Sequence, residues 1–410
     1  MDVVHFFRQN FSFFKKNADS VFLDSAATSL KPDILGHALQ VIYENSVEVV
    51  HRSSYEPADR ITVGFEAVRS KIARKMAVLP NEIIFTSGTT DGLNIAAYSW
   101  GMKNLVQDDE IVISIAEHHS SALPWIEVAK KTGAQIRWMK FSSFDYTFDF
   151  GAEVFSAQTK VIVVSAYSNV MGPLWQDGVQ LENFIKRAHA AGVIVVLDGA
   201  QHESFNAINL RLLNPDFYAY SAHKSFGPQG VGVLFINKRI HDQLQHVFVG
   251  GGSVESVLAD EVVYKKSPLF LEAGTPPAAQ VIAWGQVIDF IEQNIDKNLH
   301  QKRMAALIVK ILNTLSSIDA VTILGNKKLL STQGHLVSFV VDDLHAHDVA
   351  DVLSAQKIFV RAGLMCAQPL FEYLSLQACL RVSLHWYTTE AEIDVFCSAL
   401  VLAINRLRAL

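Results

Sequence analysis

The sequence has few cysteines, a modest share of charge and no long apolar run. Its 410 residues include three cysteines, Cys366, Cys379 and Cys397, and this odd number argues against a disulfide framework and for a reducing compartment. Lys and Arg total 35 against 41 Asp and Glu, which provides no cationic surface for nucleic acid. The longest uncharged stretch, residues 161–176, falls short of the roughly 18 apolar residues of a membrane span. We therefore expect that the protein binds neither nucleic acid nor a membrane.

The N-terminal segment, MDVVHFFRQNFSFFKKNADS, interrupts its aromatic residues with Arg8, Lys15 and Lys16. It therefore lacks the basic head and continuous apolar stretch of a secretory signal, and we expect a cytoplasmic protein. Hydrophobic residues make up 50% of the chain and charged residues 19%, which is typical of a globular protein. The length allows two or three compact units.

Residues 83–237 alternate short β-branched runs with longer amphipathic stretches, which is typical of β-α-β units and predicts an α/β fold with a mostly parallel sheet. The stretch 177–192 predicts a crossover helix, with Val179, Phe184, Ile185 and Ala188 on its buried face and Gly192 as its end. The predicted strands are 83–86, 110–115, 135–140, 161–166, 193–198, 217–221 and 231–237.

The pattern changes after residue 281, where a long helix begins a smaller α+β region. We predict a large domain over residues 24–281 and a small domain formed by residues 1–23 plus 282–410. The predicted elements of the small domain are strand 335–341, helix 346–356, strands 357–360 and 380–384, and a closing helix from Glu390.

Asp198 and Lys224 each follow a predicted strand, at the edge of the sheet where α/β folds bind their ligands. A lysine can form a Schiff base with pyridoxal phosphate, while a carboxylate pairs with the protonated ring nitrogen of that cofactor. Taken singly, Asp198 could cap a turn and Lys224 could be a solvated loop lysine. The presence of both residues favours a pyridoxal-phosphate site over these two separate structural roles.

The turn at residues 86–100 and the histidines at 118 and 119 fit the same cofactor. Gly88, Thr89 and Thr90 stand between a strand and a helix, which is either a phosphate cradle or an ordinary capped turn. His118 or His119 could stack on a cofactor ring, and His118 could also move protons. Adjacent histidines on an extended segment point to opposite faces, and no cluster with ligand spacing lies nearby, so we predict no metal.

These motifs together resemble the class V aminotransferase group, and within it the group II cysteine desulfurases of the SufS and CsdA type. The resemblance runs through nearly the whole chain, and VHRS and RAGLMCAQP indicate the subgroup. It implies pyridoxal-phosphate fold type I, with a small domain that carries a sulfur-acceptor cysteine loop. The matching segments are FLDSAATSLKP (22–32), FTSGTTDGLNIAAYSW (85–100), AEHHSSALPW (116–125), VLDGAQH (196–202), YSAHKSFGPQGVGVL (220–234), LEAGTP (271–276), VRAGLMCAQPL (360–370) and LRVSLHWYTTEAEID (380–394).

The resemblance implies a role for each matching residue around pyridoxal 5'-phosphate. Lys224 is implied as the imine lysine, Asp198 as the partner of the ring nitrogen, and His118 as the stacking residue. Gln201 would contact the phenolic oxygen, and Asn169 would lie beside the ring. The implied phosphate ligands are Thr89, Thr90, Ser221, His223 and, reaching the site of a neighbouring subunit, Thr275.

The resemblance also implies a substrate, a product and partners. The substrate would be L-cysteine or a close analogue, its carboxylate held by Arg381 with Arg361 nearby. His51 and Arg52 match residues that line the pocket. The contact from Thr275 implies a homodimer, and a sulfur-acceptor protein is a further implied partner.

Cys366 matches the sulfur acceptor of the family, and its chemistry also follows from the residue type. A thiolate can take the sulfur of bound cysteine, leaving alanine as product and a persulfide on the enzyme. Pro369 and Gly363 bracket Cys366 in a predicted loop, whereas Cys379 and Cys397 fall in patterns of buried strand and helix. We therefore predict a cysteine desulfurase that uses Cys366 and supplies sulfur for iron–sulfur clusters or other sulfur metabolism.

The sequence departs from the family at Leu364 and Met365, where two histidines usually precede the acceptor cysteine. Their loss predicts a slower persulfide step or a partner that reorganises the loop. It also keeps open a non-catalytic regulatory homologue. Other class V activities on the same cofactor are further alternatives, namely a selenocysteine lyase, a cysteine sulfinate desulfinase or an aminotransferase. Ser87, Pro277 and Ala222 are smaller departures that the fold should tolerate.

Overall fold

The computed structural model describes residues 3–47, 50–51, 55–151, 154–203 and 208–409. A π-helical turn, Ala97–Gly101, joins the helix Thr89–Ala96 to the short helix Met102–Asn104. The strands are β1 Val21–Phe22, β2 Ile83–Thr86, β3 Glu110–Ser114, β4 Gln135–Met139, β5 Phe141–Ser142, β6 Thr147–Phe148, β7 Thr159–Ser165, β8 Ile194–Asp198, β9 Phe217–Ser221, β10 Gly232–Ile236, β11 Val254–Val257, β12 Val262–Tyr264, β13 Val321–Leu324, β14 Leu336–Val341, β15 Ile358–Phe359, β16 Arg361–Gly363 and β17 Cys379–Ser383. The helices are α1 Val3–Arg8, α2 Ser12–Lys16, α3 Asp33–Asn45, α4 Glu56–Lys75, α5 Thr89–Ala96, α6 Met102–Asn104, α7 His119–Thr132, α8 Gly178–Ala190, α9 Leu210–Leu213, α10 Ala278–Asn294, α11 Lys297–Ser316, α12 Lys327–Gln333, α13 Ala346–Ser354, α14 Gln368–Tyr373 and α15 Glu390–Arg408.

A seven-stranded sheet forms the centre of the fold, in the order β2-β10-β9-β8-β7-β3-β4. Strand β10 is antiparallel to both of its neighbours, and the other pairs are parallel. Strands β8 and β9 are buried at every position, since helices cover both faces of the sheet. The predicted α/β class with a mostly parallel sheet is confirmed.

Helix α8 crosses from β7 to β8, as the sequence predicts, but its buried face differs by one residue. Leu181, Phe184, Ile185 and Ala188 are buried, whereas Val179 is 61% exposed. Val179 lies in the first turn, next to the N-cap Asp177, and the apolar stripe of the helix starts only at Leu181. The assignment of Val179 to the buried face was wrong.

A second, four-stranded antiparallel sheet forms from the C-terminal part of the chain, in the order β13-β14-β17-β16. Strand β1 reaches this region and pairs in parallel with β15, and Asp24 bridges to Ser383. The sequence did not predict β13 or β16. The predicted domain boundary at 281/282 falls inside α10, which packs against α3 and α4.

The described residues contain no helix that is long and apolar enough to cross a membrane.

Candidate active site

A cavity of about 250 Å³ opens at the carboxyl edge of the central sheet. The parallel strands β7, β8 and β9 end there, because their chain direction brings their last residues to one edge. Of the predicted cofactor-binding residues, all except Thr275 line the cavity: Thr89, Thr90, His118, Asn169, Asp198, Gln201, Ser221, His223 and Lys224.

Asp198 lies at one end of the cavity with its carboxylate held by two donors. Its Oδ2 accepts a hydrogen bond from the Ser121 hydroxyl at 2.7 Å, and its Oδ1 accepts one from the backbone N–H of Ala200 at 2.8 Å. Hydrogen bonds of this kind stabilise the ionised form of a carboxyl group. The site therefore presents a fixed, buried negative charge that can pair with a protonated ring nitrogen.

Lys224 follows β9 in a short 3₁₀ turn, Ala222–Lys224, and its amine is buried. The pKa of Lys224 is lowered to about 8, and burial is the largest cause; the Asp198 carboxylate opposes this shift, while the Arg381 and Arg361 guanidinium groups contribute to it. A sizeable neutral fraction of this amine near pH 8 can attack a carbonyl carbon.

His118 is the N-cap of α7, and its Nδ1 accepts a hydrogen bond from the backbone N–H of Ser120 at 3.0 Å. Burial is the largest cause that lowers the pKa of His118 to about 4. The ring is therefore neutral at pH 7, with its proton assigned to Nε2 by the hydrogen bond at Nδ1. His119 begins α7, so the expectation that the two histidines share an extended segment was wrong.

Hydroxyl groups and a helix start surround the opposite end of the cavity. The backbone N–H of Thr89 donates to the Ser221 hydroxyl at 2.8 Å, and the Thr90 and Ser120 hydroxyls are 2.8 Å apart. The N-terminus of α5 lies at the same place, where backbone N–H groups favour anions. One cavity therefore contains hydrogen-bond donors for a phosphate group, the Lys224 amine and the Asp198 carboxylate, and this combination fits pyridoxal phosphate.

Lys31, for which no role was predicted from the sequence, supports this end of the cavity. Its Nζ donates to the carbonyl oxygens of Ser29 and His223, each at 2.6 Å. Burial lowers the pKa of Lys31 to about 7. The lysine thus fixes the backbone of His223, whose ring lines the cavity and contacts the Thr28 hydroxyl at 3.2 Å.

Two arginines converge on Asp24 beside the cavity. Arg381 Nη2 donates to Asp24 Oδ1 at 3.2 Å, and Arg361 Nε donates to Asp24 Oδ2 at 3.0 Å. The two arginines are direct partners across β16 and β17. Arg381 is buried and also donates to the Asn169 carbonyl at 3.0 Å, while the Arg361 side chain is 48% exposed.

The Cys366 loop joins β16 to α14 and lies against the cavity wall. The carbonyl oxygen of Met365 accepts a hydrogen bond from the Asn169 amide at 2.7 Å, and the Met365 side chain is buried. Met365 and Cys366 both adopt left-handed backbone conformations, with φ of 49° and 55°. The Cys366 side chain is exposed.

The other two cysteines are buried, as the sequence predicts. Burial raises the pKa of the Cys379 thiol to about 12, and burial also raises the pKa of the Cys397 thiol. Neither group is placed to act as a thiolate nucleophile.

Thr275 and His51 line a second cavity, of about 530 Å³, and not the one that contains Lys224. His51 Nε2 is 3.1 Å from a carboxylate oxygen of Glu66. Arg52 lies outside the described residues. The same chain therefore does not bring Thr275 or His51 to Lys224, and their predicted roles stay predictions.

Comparison with known proteins gives one consistent picture. The family model described as aminotransferase class-V matches residues 21–396. A probable cysteine desulfurase of Halalkalibacterium halodurans is 38% identical, over 93% of this chain and 92% of the relative. The crystal structure of the cysteine desulfurase CsdA from Escherichia coli superposes with a TM-score of 0.88, at 31% identity and with 99% of each chain covered. The apo structure of a cysteine desulfurase from Thermococcus onnurineus NA1 superposes with a TM-score of 0.91, at 30% identity, covering 100% of this chain and 99% of that one.

Proposed function

The chain belongs to the class-V aminotransferase family, and we propose that it is a pyridoxal-phosphate-dependent cysteine desulfurase that converts L-cysteine to L-alanine. One observation carries the proposal. The loop of the exposed Cys366 is tied by Asn169 to the wall of the cavity that contains Lys224 and Asp198. A nucleophilic sulfur and a cofactor site are thus adjacent.

The cavity residues divide the binding of the cofactor among them. Lys224 is the point of covalent attachment, Asp198 pairs with the ring nitrogen, and His118 offers a neutral ring for stacking. Thr89 and Ser221 are proposed phosphate ligands, together with Thr90 and His223. Gln201, whose amide N–H donates to the Ala26 carbonyl at 2.8 Å, contacts the phenolic oxygen. When bound, pyridoxal phosphate accepts the electron pair of a bond broken at the substrate α-carbon.

Lys224 is the proposed base at the substrate α-carbon. Its pKa of about 8 lets the neutral amine take a proton near physiological pH and return it later. Arg381 holds the substrate carboxylate in a bidentate fork, with Arg361 at the rim. Since both arginines already contact Asp24, the incoming carboxylate competes with Asp24 for them.

Cys366 receives the sulfur. Its thiolate attacks the substrate sulfur, an S–S bond forms, and the substrate C–S bond breaks with its electron pair left on carbon. Protonation at that carbon gives alanine, so L-cysteine and the Cys366 thiol become L-alanine and a Cys366 persulfide. The persulfide then supplies iron–sulfur cluster assembly or another sulfur pathway through an acceptor protein.

We also propose that the active form is a homodimer. Its support is the separate 530 Å³ cavity, which gathers Thr275 and His51 away from Lys224, as residues that serve a neighbouring subunit would be. A cytoplasmic location is proposed from the three free thiols. The division into a large and a small domain is supported by the pairing of β1 with β15.

A second candidate is a lyase that acts on selenocysteine or cysteine sulfinate without the Cys366 thiolate. The observation that favours it is the burial of Met365, which leaves an apolar neighbour where the family usually has a histidine.

The decisive experiment measures alanine and sulfide released from L-cysteine, anaerobically and with a reductant. The wild type is compared with Cys366→Ser, and with Cys397→Ser as a matched control at a buried thiol. Equal release of both products that is lost only in Cys366→Ser supports the desulfurase. Alanine from cysteine sulfinate or selenocysteine that survives in Cys366→Ser supports the lyase, and no alanine from any of the three substrates contradicts both.

A further inference from the structure

The turn that carries Cys366 has a strained backbone. Met365 and Cys366 adopt left-handed conformations one after the other, with φ of 49° and 55°, and neither is a glycine. Such conformations are unfavourable for residues with a side chain and persist only where neighbouring groups hold them in place. Within the turn, the backbone N–H of Ala367 donates to the carbonyl oxygen of Leu364 at 2.9 Å. Contacts from other segments are needed to hold the two residues that lie between them.

Two residues from the region of the central sheet hold this turn by hydrogen bonds. The Asn169 amide donates to the Met365 carbonyl at 2.7 Å. The backbone N–H of His119 donates to the Cys366 carbonyl at 2.8 Å. The His119 ring then accepts, at Nε2, a hydrogen bond from the backbone N–H of Gln368 at 3.2 Å. His119 thus contacts the turn through both its backbone and its ring.

The ring of His119 takes the place of a helix cap that α14 lacks. Helix α14 begins at Gln368, and the side chain of its N-cap residue, Ala367, makes no capping hydrogen bond. The first backbone N–H groups of a helix have no partner within it. His119 supplies an acceptor for the first of them, as an N-cap side chain would, and this acceptance at Nε2 leaves the ring proton on Nδ1. The start of α14, two residues after Cys366, is therefore fixed by a side chain from a distant segment.

His119 lies next to the cofactor site without being part of it. His118 and Ser120 line the cavity that contains Lys224, whereas the described lining of that cavity does not include His119. The side chain of His119 is also partly exposed, so a change of its ring does not open a gap in the core. The contact of this ring with the turn can therefore be removed without removing a contact to the cofactor.

We propose that His119 is a positioning residue for sulfur transfer, whose ring caps α14 and thereby holds the Cys366 turn in the conformation from which the thiolate attacks. This inference rests on the proposed function, since it concerns the step in which Cys366 accepts sulfur. Without the cap, the turn relaxes from its left-handed conformation and the persulfide step slows. Binding of cysteine is unaffected, because the proposed carboxylate ligand Arg381 contacts Asp24 and not His119.

The first test measures the cap itself, as hydrogen exchange of the Gln368 amide in the full-length protein. His119→Leu removes the acceptor, and we expect exchange to become about 5-fold faster, the effect of losing one ordinary hydrogen bond. His119→Gln places an amide oxygen near the position of Nε2 and should restore the wild-type rate. His37→Leu, at an exposed histidine of α3, is the matched control and should leave the rate unchanged. Unchanged exchange in His119→Leu overturns the proposal.

The second test measures the persulfide step in a single turnover of the cofactor-loaded protein with L-cysteine and no reductant, in which each Cys366 releases one alanine. The rate of this burst should fall about 3- to 10-fold in His119→Leu and return to the wild-type value in His119→Gln. The KM for cysteine, measured in the steady state with a reductant, and the visible absorption of the cofactor should stay unchanged in both variants.

A burst that is equally slow in His119→Gln and His119→Leu overturns the proposal, because the acceptor atom is then not what holds the turn. So does a burst that His119→Leu leaves unchanged, or a rise in KM in its place. A loss of the cap without a slower burst, in a protein that releases alanine, contradicts this inference alone. A wild type that shows the cap by hydrogen exchange and yet releases no alanine contradicts the proposed function.

Discussion

The backbone N–H of His119 donates a hydrogen bond of 2.8 Å to the carbonyl oxygen of Cys366. In return, Nε2 of His119 accepts a hydrogen bond from the backbone N–H of Gln368 at 3.2 Å. The cysteine loop is thus fixed to the start of α7, directly after the proposed stacking residue His118. Because these contacts use the backbone of the loop, the partly buried side chain at 364 can change without moving Cys366.

We predict that Leu364→His accelerates the persulfide step. Leu364 is only partly buried, so a histidine fits there and supplies a proton acceptor beside the thiol. The rate of Cys366 alkylation by iodoacetamide should rise several-fold at pH 7, and its pH profile should shift to lower pH. Leu364→Gln is the matched control, since it is polar but does not titrate in this range. Equal rates in the wild type and Leu364→His would refute the prediction.

Met365→His should instead destabilise the fold. The Met365 side chain is buried in the main apolar core, and a buried polar ring without a partner costs about 1–3 kcal/mol. A urea titration should show a lower midpoint for Met365→His than for Leu364→His. An unchanged midpoint would mean that the loop opens at little cost.

Cofactor attachment should accelerate as the pH rises through about 8, because burial lowers the pKa of Lys224 to about 8 and only the neutral amine attacks. Stopped-flow absorbance of the cofactor-free protein mixed with pyridoxal phosphate measures this rate. Asp198→Asn should shift the midpoint to lower pH, because the carboxylate raises the pKa of Lys224. A shift to higher pH would contradict the electrostatic assignment, and Lys224→Arg should show no attachment.

Arg381→Lys should raise KM for cysteine about 10- to 100-fold with a smaller effect on kcat. The reason is that lysine cannot form the bidentate pair with a carboxylate, and charge-assisted hydrogen bonds contribute about 1.5–3 kcal/mol. Arg361→Lys is the comparison, and we expect a smaller rise because Arg361 is half exposed. Steady-state kinetics measure both KM values. A larger rise in KM for Arg361→Lys would mean that Arg361, and not Arg381, is the main ligand of the substrate carboxylate.

Lys31 should make the cofactor-free protein more stable as the pH rises from about 7 toward 10. Its pKa in the folded protein is lowered to about 7, so between that value and its ordinary pKa the unfolded chain binds more protons than the folded one. The thermal unfolding temperature of the wild type should therefore rise relative to that of Lys31→Met over this pH range. Lys16→Met, at an exposed lysine, serves as a control, and its unfolding temperature should change with pH in the same way as that of the wild type.

The sequence predicted the central sheet well because most of its strands are short, mainly apolar runs separated by longer amphipathic stretches. Strand β9 begins and ends at the predicted residues, and β8 ends at Asp198 as predicted. Residues of the cavity could also be predicted, because Asp198 and Ser221 end their strands and Lys224 lies in the turn after β9. Short edge strands such as β16, whose pattern is too brief to carry a period, were missed.

The unpredicted parts of the site depend on contacts between distant segments. Lys31 donates to the carbonyl of His223, and Glu117, in the turn after β3, accepts hydrogen bonds from Ser165 at the end of β7. The local sequence around either residue does not indicate these contacts, so they are seen only in the folded structure. Thr275 was identified by its motif, and its contact with the site of a neighbouring subunit stays a prediction, because a single chain does not test it.

The aromatic segment at the N-terminus has a consequence for synthesis on the ribosome. Phe11 and Phe14 pack against Tyr387, and β1 pairs with β15. This segment is therefore synthesised long before Tyr387, and these contacts form only after Tyr387 has been translated. A nascent chain exposes these rings throughout elongation, which favours association with chaperones during that interval. Truncation before Tyr387 would remove this shared partner from both rings.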